Sequence, residues 1–487
     1  MQACELSATA ARALIGRKSL SPVELLQSCL ARIDALDPQV NAVVARDDAA
    51  SLAAAKSAEA AVMRGAPLGP LHGLPVLVKD LAQTAGLRTT YGCLLYRDFV
   101  PAADERQVAA IRAAGGLILG KTNTPEFGAG ANTRNYVYGA TGNPFDPSLS
   151  AAGSSGGSAV ALACDMAPLA TGSDQGGSLR NPASFCGVVG FRPSPGLVPA
   201  EAAVLGWSPL AVAGPMARDV ADSWLLLRAM AGQDGRDPLS SAPVLEAPAA
   251  DLACLRAAFS ADLGFAPVEQ AVAAHFRALI PRLAGCFART EETEPDCTGT
   301  DESFAVLRAQ TYLALHGARM RDQADRLGPN IRRNYAEALT YTGEDVARAM
   351  MEQTRLARVW HAFFAEHDVL ITPAITILPR PWAELAPRQI DGTPTRTYYH
   401  WLALAYAVSL VGHPAICIPC GLGPSGLPFG LQLVGRRGGD AALLAVAQAM
   451  EAALAEAGLG RPLPDLAALA GQPRMAERAG FLEMPEG

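Results

Sequence analysis

Two short runs of small residues carry the chemistry that this sequence suggests: Gly153-Ser154-Ser155-Gly156-Gly157-Ser158, and Gly172-Ser173-Asp174-Gln175-Gly176-Gly177-Ser178-Leu179-Arg180. Backbone with so little side chain lets its own N–H groups approach a reacting carbonyl, and the serines supply hydroxyls that attack one. Ser178 is the candidate nucleophile, with the N–H groups of Gln175, Gly176, Gly177 and Ser178 as a candidate oxyanion cradle. A serine needs a base, and the usual base is histidine. The seven histidines fall in no recognisable motif. Lysine is the alternative, because serine paired with a lysine base is a known variant of the triad. Lys79 directly follows the apolar run Val76-Leu77-Val78. Burial there would favour the neutral amine that a base must be.

The elements around these residues read as a rigid scaffold. Ala159 to Ala170, between the two runs, has the composition of a buried helix, which pins a glycine run at each end. Val76-Leu77-Val78, Leu117-Ile118-Leu119, Val369-Leu370-Ile371, His413 to Pro419 and Phe429 to Val434 read as short buried strands. Ser21-Pro22-Val23-Glu24 opens a helix as an N-cap followed by proline. Helices alternating with buried strands predict an α/β fold, a sheet covered on both faces. Residues 1–65 are expected to be helical, 66–241 to form the core with the motifs, 242–366 to be a helical insertion, and 367–487 to complete the same core.

Composition narrows the function. The chain has 487 residues, half of them hydrophobic, and a net charge of -7, so there is no basic footprint for nucleic acid. No segment reads as a signal peptide or a membrane span. Ten scattered cysteines fit reduced thiols in a cytoplasmic protein. Cys417-Ile418-Pro419-Cys420 has redox spacing, but it lies in a strand-like run without a second pair and is set aside. Tyr136, Tyr138 and Trp207 are candidates for an aromatic pocket or for ordinary core and rim, and the cluster Tyr398 to Trp401 stays unassigned.

The segments Leu71 to Asp80, Gly153 to Ser158 and Gly172 to Pro182 resemble the hallmark segments of the amidase signature family of Ser-cisSer-Lys amidohydrolases. Lys121 to Phe127, Gly142 to Pro147, Phe185 to Ser194, Ala213 to Met216 and Gly430 to Gly435 are similar to it as well, and 242–366 matches it least. The resemblance implies a single large mixed sheet, Lys79 as base, Ser154 as a bridging serine after a cis peptide bond, and Ser178 as nucleophile. The spacing of twenty-four residues between Ser154 and Ser178 agrees with the family's. Ser150-Ala151-Ala152 stands where the family often has proline and glycine, a change expected to reshape the loop entrance. Ser155 is expected to support the relay by hydrogen bonding, Asp174 and Arg180 to brace the nucleophile turn, and Asn181 to contact the acyl group. The implied reaction is hydrolysis of a small-molecule amide with no metal or cofactor, by a monomer or homodimer. Carbamates, ureas or lactams are the alternative substrates, and a glutaminase subunit of the tRNA-dependent amidotransferase is the alternative role. The stretch Trp207 to Pro215 looks more like the free-standing amidases.

Overall fold

Apolar strands that are buried on both faces must lie inside a sheet, and the computed structural model, which describes residues 2–483, builds one mixed sheet of eleven strands from them. The strands are β1 (Val43–Ala45), β2 (Pro75–Lys79), β3 (Leu117–Thr122), β4 (Leu169–Asp174), β5 (Val189–Arg192), β6 (Val212–Ala217), β7 (Arg256–Phe259), β8 (Arg289–Glu292), β9 (Val369–Pro373), β10 (Ala415–Leu422) and β11 (Pro428–Val434). Their order across the sheet is β1-β3-β2-β4-β6-β5-β10-β11-β9-β7-β8. Parallel pairs join β3, β2 and β4 near one end and β9, β7 and β8 at the other, with antiparallel pairs between. This is the α/β architecture, with helices over the sheet.

The centre of the sheet positions the two glycine runs. The helix α1 (Gly156–Ala163) is buried along its whole length, as its Ala-Val-Ala-Leu composition requires. The chain runs down α1 and returns up β4, so the run before the helix and the run after the strand meet at one end. Ser155 N–H donates to the Ser178 carbonyl at 3.1 Å and locks them together. β4 is parallel to β2, with Leu77 opposite Ala170, so Lys79 leaves β2 beside Ser173. Gly157 has a packing reason: a Cβ there would stand 2.4 Å from the Asn123 backbone nitrogen.

Two regions differ from expectation. Residues 1–65 include the strand β1 besides their helices, and 242–366 contributes β7 and β8 to the sheet. β8 is a polar edge strand, Arg-Thr-Glu-Glu, so no apolar run marks it in the sequence. The helices of the second region are α2 (Gln270–Ala284), α3 (Thr300–Gln323), α4 (Pro329–Ala338) and α5 (Gly343–Glu366). No helix among the described residues is long and apolar enough to cross a membrane.

Candidate active site

Lys79 ends a fully buried strand and is itself 2% exposed. Its Nζ lies 2.7 Å from Ser154 Oγ, 2.9 Å from Ser155 Oγ and 2.9 Å from Ser173 Oγ. No carboxylate among the described residues is within ion-pair distance of it. Burial therefore pulls its pKa down to about 7, opposed by the more distant charge of Asp174. A neutral amine has two N–H donors and one lone pair, so one of the three hydroxyls must donate to it. Ser155 already directs its O–H to the Ser173 carbonyl at 3.3 Å and can only accept from the lysine. The hydroxyls of Ser154 and Ser173 remain to donate to the lone pair.

Ser154 follows a cis Gly153–Ser154 peptide and is 2% exposed. Ser178 is half-buried, and its hydroxyl makes no hydrogen bond among the described residues. The turn before it is held from inside. Asp174 is buried and accepts a bidentate pair from Arg180, at 3.0 Å from Nε and 2.8 Å from Nη2, together with N–H groups of Gly177 at 2.9 Å and Leu179 at 3.1 Å. Arg192 adds a second guanidinium at 3.3 Å. These cations and donors hold the Asp174 carboxyl below the usual carboxylate range despite its burial. Arg180 also reaches Gln432 Oε1 at 2.6 Å and the Ala405 carbonyl at 3.0 Å, which ties the turn to β11.

This anchoring corrects one expectation. The Gly177 N–H donates to Asp174, so it is not free for an oxyanion; those of Gln175, Gly176 and Ser178 have no acceptor among the described residues. Gly177 takes φ +107°, and a Cβ there would stand 2.5 Å from Asn181 Nδ2. Asn181 is 1% exposed and neither of its amide atoms has a hydrogen-bond partner among the described residues.

The remaining candidates spread out. Trp207 stands 79% exposed on a loop, and Tyr138 lies under Arg88 at 5.2 Å, with its carbonyl accepting from Asn41 Nδ2 at 2.7 Å. Cys417 and Cys420 are buried free thiols in β10. Sequence reasoning did not single out Ser173, although it lies within the second run, nor Arg192, whose link to Asp174 exists only after β5 and β4 are folded together. It also left Tyr398 unassigned, and the fold gives it partners: Arg308 and Asn334 both donate to its hydroxyl.

Known proteins bear on this arrangement. Residues 24–444 match the model of the amidase family. The chain is 36% identical over 463 residues to the acylamidase of Rhodococcus erythropolis, covering 92% of this chain and 95% of that one. It is 33% identical over 474 residues to one of the glutamyl-tRNA(Gln) amidotransferase subunits of Chloroflexus aurantiacus, covering 92% and 96%. A solved bacterial aryl acylamidase of the amidase signature family superposes with a TM-score of 0.85 at 27% identity, over 94% of this chain and 99% of that one. The chain thus belongs to the amidase family. It is an enzyme that hydrolyses amide C–N bonds.

Proposed function

We propose that the protein hydrolyses small-molecule amides through an acyl-enzyme on Ser178, with Ser154 and Lys79 as the proton relay. The observation that carries this reading is the 2.7 Å contact between Lys79 Nζ and Ser154 Oγ in a buried site where the lysine has no carboxylate partner among the described residues. Neutral Lys79 takes the Ser154 proton while Ser154 takes that of Ser178, and Ser178 Oγ bonds to the carbonyl carbon. Negative charge on the carbonyl oxygen meets the free N–H groups of Gln175, Gly176 and Ser178. As the C–N bond breaks, the proton returns through Ser154 to the leaving nitrogen. Water then repeats the relay, and the acid leaves. In this reading Asn181, whose two amide atoms have no hydrogen-bond partner among the described residues, contacts the acyl group. The ten unpaired thiols support a cytoplasmic location.

Likeness to an acylamidase and to an aryl acylamidase supports acyl and aryl amides as the substrates of a free-standing enzyme. Acetanilide, a carbamate, a lactam and glutamine, assayed for released amine or ammonia, separate the choices. Hydrolysis of the anilide by the isolated chain is expected. Glutamine turnover only with added partner proteins would contradict it. Ser178→Ala should lower kcat by a factor on the order of 10⁶, and full activity in that variant would remove Ser178 from the mechanism.

A further inference from the structure

A residue outside the first glycine run grips it at both ends. Thr133 is fully buried, and both of its donors reach the Ala152 carbonyl, the N–H at 3.0 Å and the hydroxyl at 2.8 Å. The same hydroxyl oxygen accepts the Gly156 N–H at 3.1 Å. Thr133 therefore holds the chain on either side of Gly153-Ser154-Ser155. The two flanking glycines make room for it: a Cβ on Gly156 would overlap Thr133 Oγ1, and one on Gly153 would stand 3.1 Å from it.

Each of these bonds answers a local need. Ala152 has φ +56°, a left-handed backbone that a residue with a Cβ rarely adopts, so it must be held there. Its N–H donates to Ser150 Oγ at 3.0 Å, whose own hydroxyl donates to Asn132 Oδ1 at 2.9 Å, and its carbonyl takes the two Thr133 donors. At the other end, Gly156 opens α1, whose N-cap residue is Ser155. A serine there ordinarily turns its oxygen onto the N–H groups of the first turn. Ser155 does not, because its hydroxyl lies between Lys79 Nζ and the Ser173 carbonyl. Thr133 supplies an acceptor at this helix end from another part of the chain. Thr133 is fixed in turn by its carbonyl, which takes the Thr141 N–H at 2.9 Å, directly before the short antiparallel pair of Arg134–Asn135 with Gly139–Ala140.

We propose that Thr133 is a positioning residue for amide hydrolysis: its hydroxyl fixes the backbone around Ser154 so that Ser154 Oγ stays in line between Lys79 and Ser178. The proposal rests on the relay reading of Ser154 given above. In that reading Ser154 returns a proton to the leaving nitrogen, a step on which an amide depends and an ester with a stable phenolate leaving group does not. Displacing Ser154 therefore penalises an amide more than an ester of the same acyl group, whereas a general loss of folded enzyme lowers both alike.

The test compares 4-nitroacetanilide with 4-nitrophenyl acetate on the purified full chain. Thr133→Val keeps the shape of the side chain and removes its hydroxyl. The ratio of anilide to ester kcat/KM should fall about tenfold in this variant, and Thr133→Ser, which restores the hydroxyl, should return it to within about threefold of the original. If the valine variant does not fold, Thr133→Ala carries the same prediction, because its smaller side chain introduces no clash. An unchanged ratio in a folded variant without the hydroxyl overturns the proposal, as does a fall that Thr133→Ser does not reverse. Ser154→Ala separates the two readings. Loss of anilide hydrolysis in Ser154→Ala beside an unchanged ratio in Thr133→Val removes this proposal alone, while full anilide hydrolysis in Ser154→Ala removes the relay on which it rests. If the unaltered chain hydrolyses neither substrate, both readings fall together.

Discussion

Lys79 and Lys121 sit at the ends of adjacent parallel strands, both buried, yet they have different partners. Val78 lies opposite Lys121 and Lys79 opposite Thr122, so the two amines are one step out of register. Lys121 Nζ donates to the Ala82 carbonyl and to the hydroxyls of Thr84 and Thr89 at 3.0 and 3.1 Å, with Asp80 at 3.9 Å. Lys79 meets three serine hydroxyls and, among the described residues, no carboxylate. A carbonyl oxygen can only accept, and a carboxylate rewards the charge, so the surroundings of Lys121 keep it an ammonium. Hydroxyls can donate back, so those of Lys79 tolerate a lone pair. Burial lowers Lys121 to about 8 with Asp80 opposing, and lowers Lys79 to about 7 with only a distant carboxylate opposing. Burial alone does not make a base of a lysine. The partners decide whether it exchanges a proton or braces a loop, and Lys121 braces 80–92, where Asp80 also takes the Thr90 N–H and hydroxyl.

Exchanging the two residues for methionine should separate these roles. Lys79→Met removes the proposed base and strands no carboxylate among the described residues. Its kcat/KM for an anilide is expected to fall by a factor on the order of 10²–10⁴, with no loss of stability in chemical denaturation. Lys121→Met leaves Asp80 buried without its cation, which is expected to cost about 3–5 kcal/mol of stability. A folded, fully stable Lys121→Met enzyme would erase the distinction, and so would a Lys79→Met enzyme that keeps its rate.

How much of this was legible in the sequence depended on whether a residue acts through its neighbours along the chain or through the fold. The apolar run before Lys79 and the two glycine runs are local signals, and they mark β2, α1 and the turn at Ser178. The resemblance to the amidase signature family added Ser154, which composition alone does not distinguish from Ser155 or Ser158. Ser158 turns away to Thr122 and the Thr171 carbonyl, whereas Ser155 touches the lysine. Arg192 and Gln432 reach the turn before Ser178 across the sheet, and Arg308 gains its partners from the rings of Tyr398 and Tyr399 far downstream, so no spacing announces them. β7 and β8 were hidden for a different reason: four-residue strands among long helices, one of them polar at the sheet edge, lack both the apolar run and the alternation that mark a strand.

Whether neutral Lys79 is the base of acylation is read from the pH dependence of the acylation rate. The folded-state pKa lies below the ordinary lysine value, so the active, deprotonated amine is present above about pH 7 and lost as pH falls through it. Single-turnover acylation by an anilide, followed by amine release between about pH 5 and 10, should rise through one ionisation near pH 7 and level off above it. A rate that is flat from about pH 5 to 9, or that rises only near the ordinary lysine value of about 10.4, would show that Lys79 is not the base.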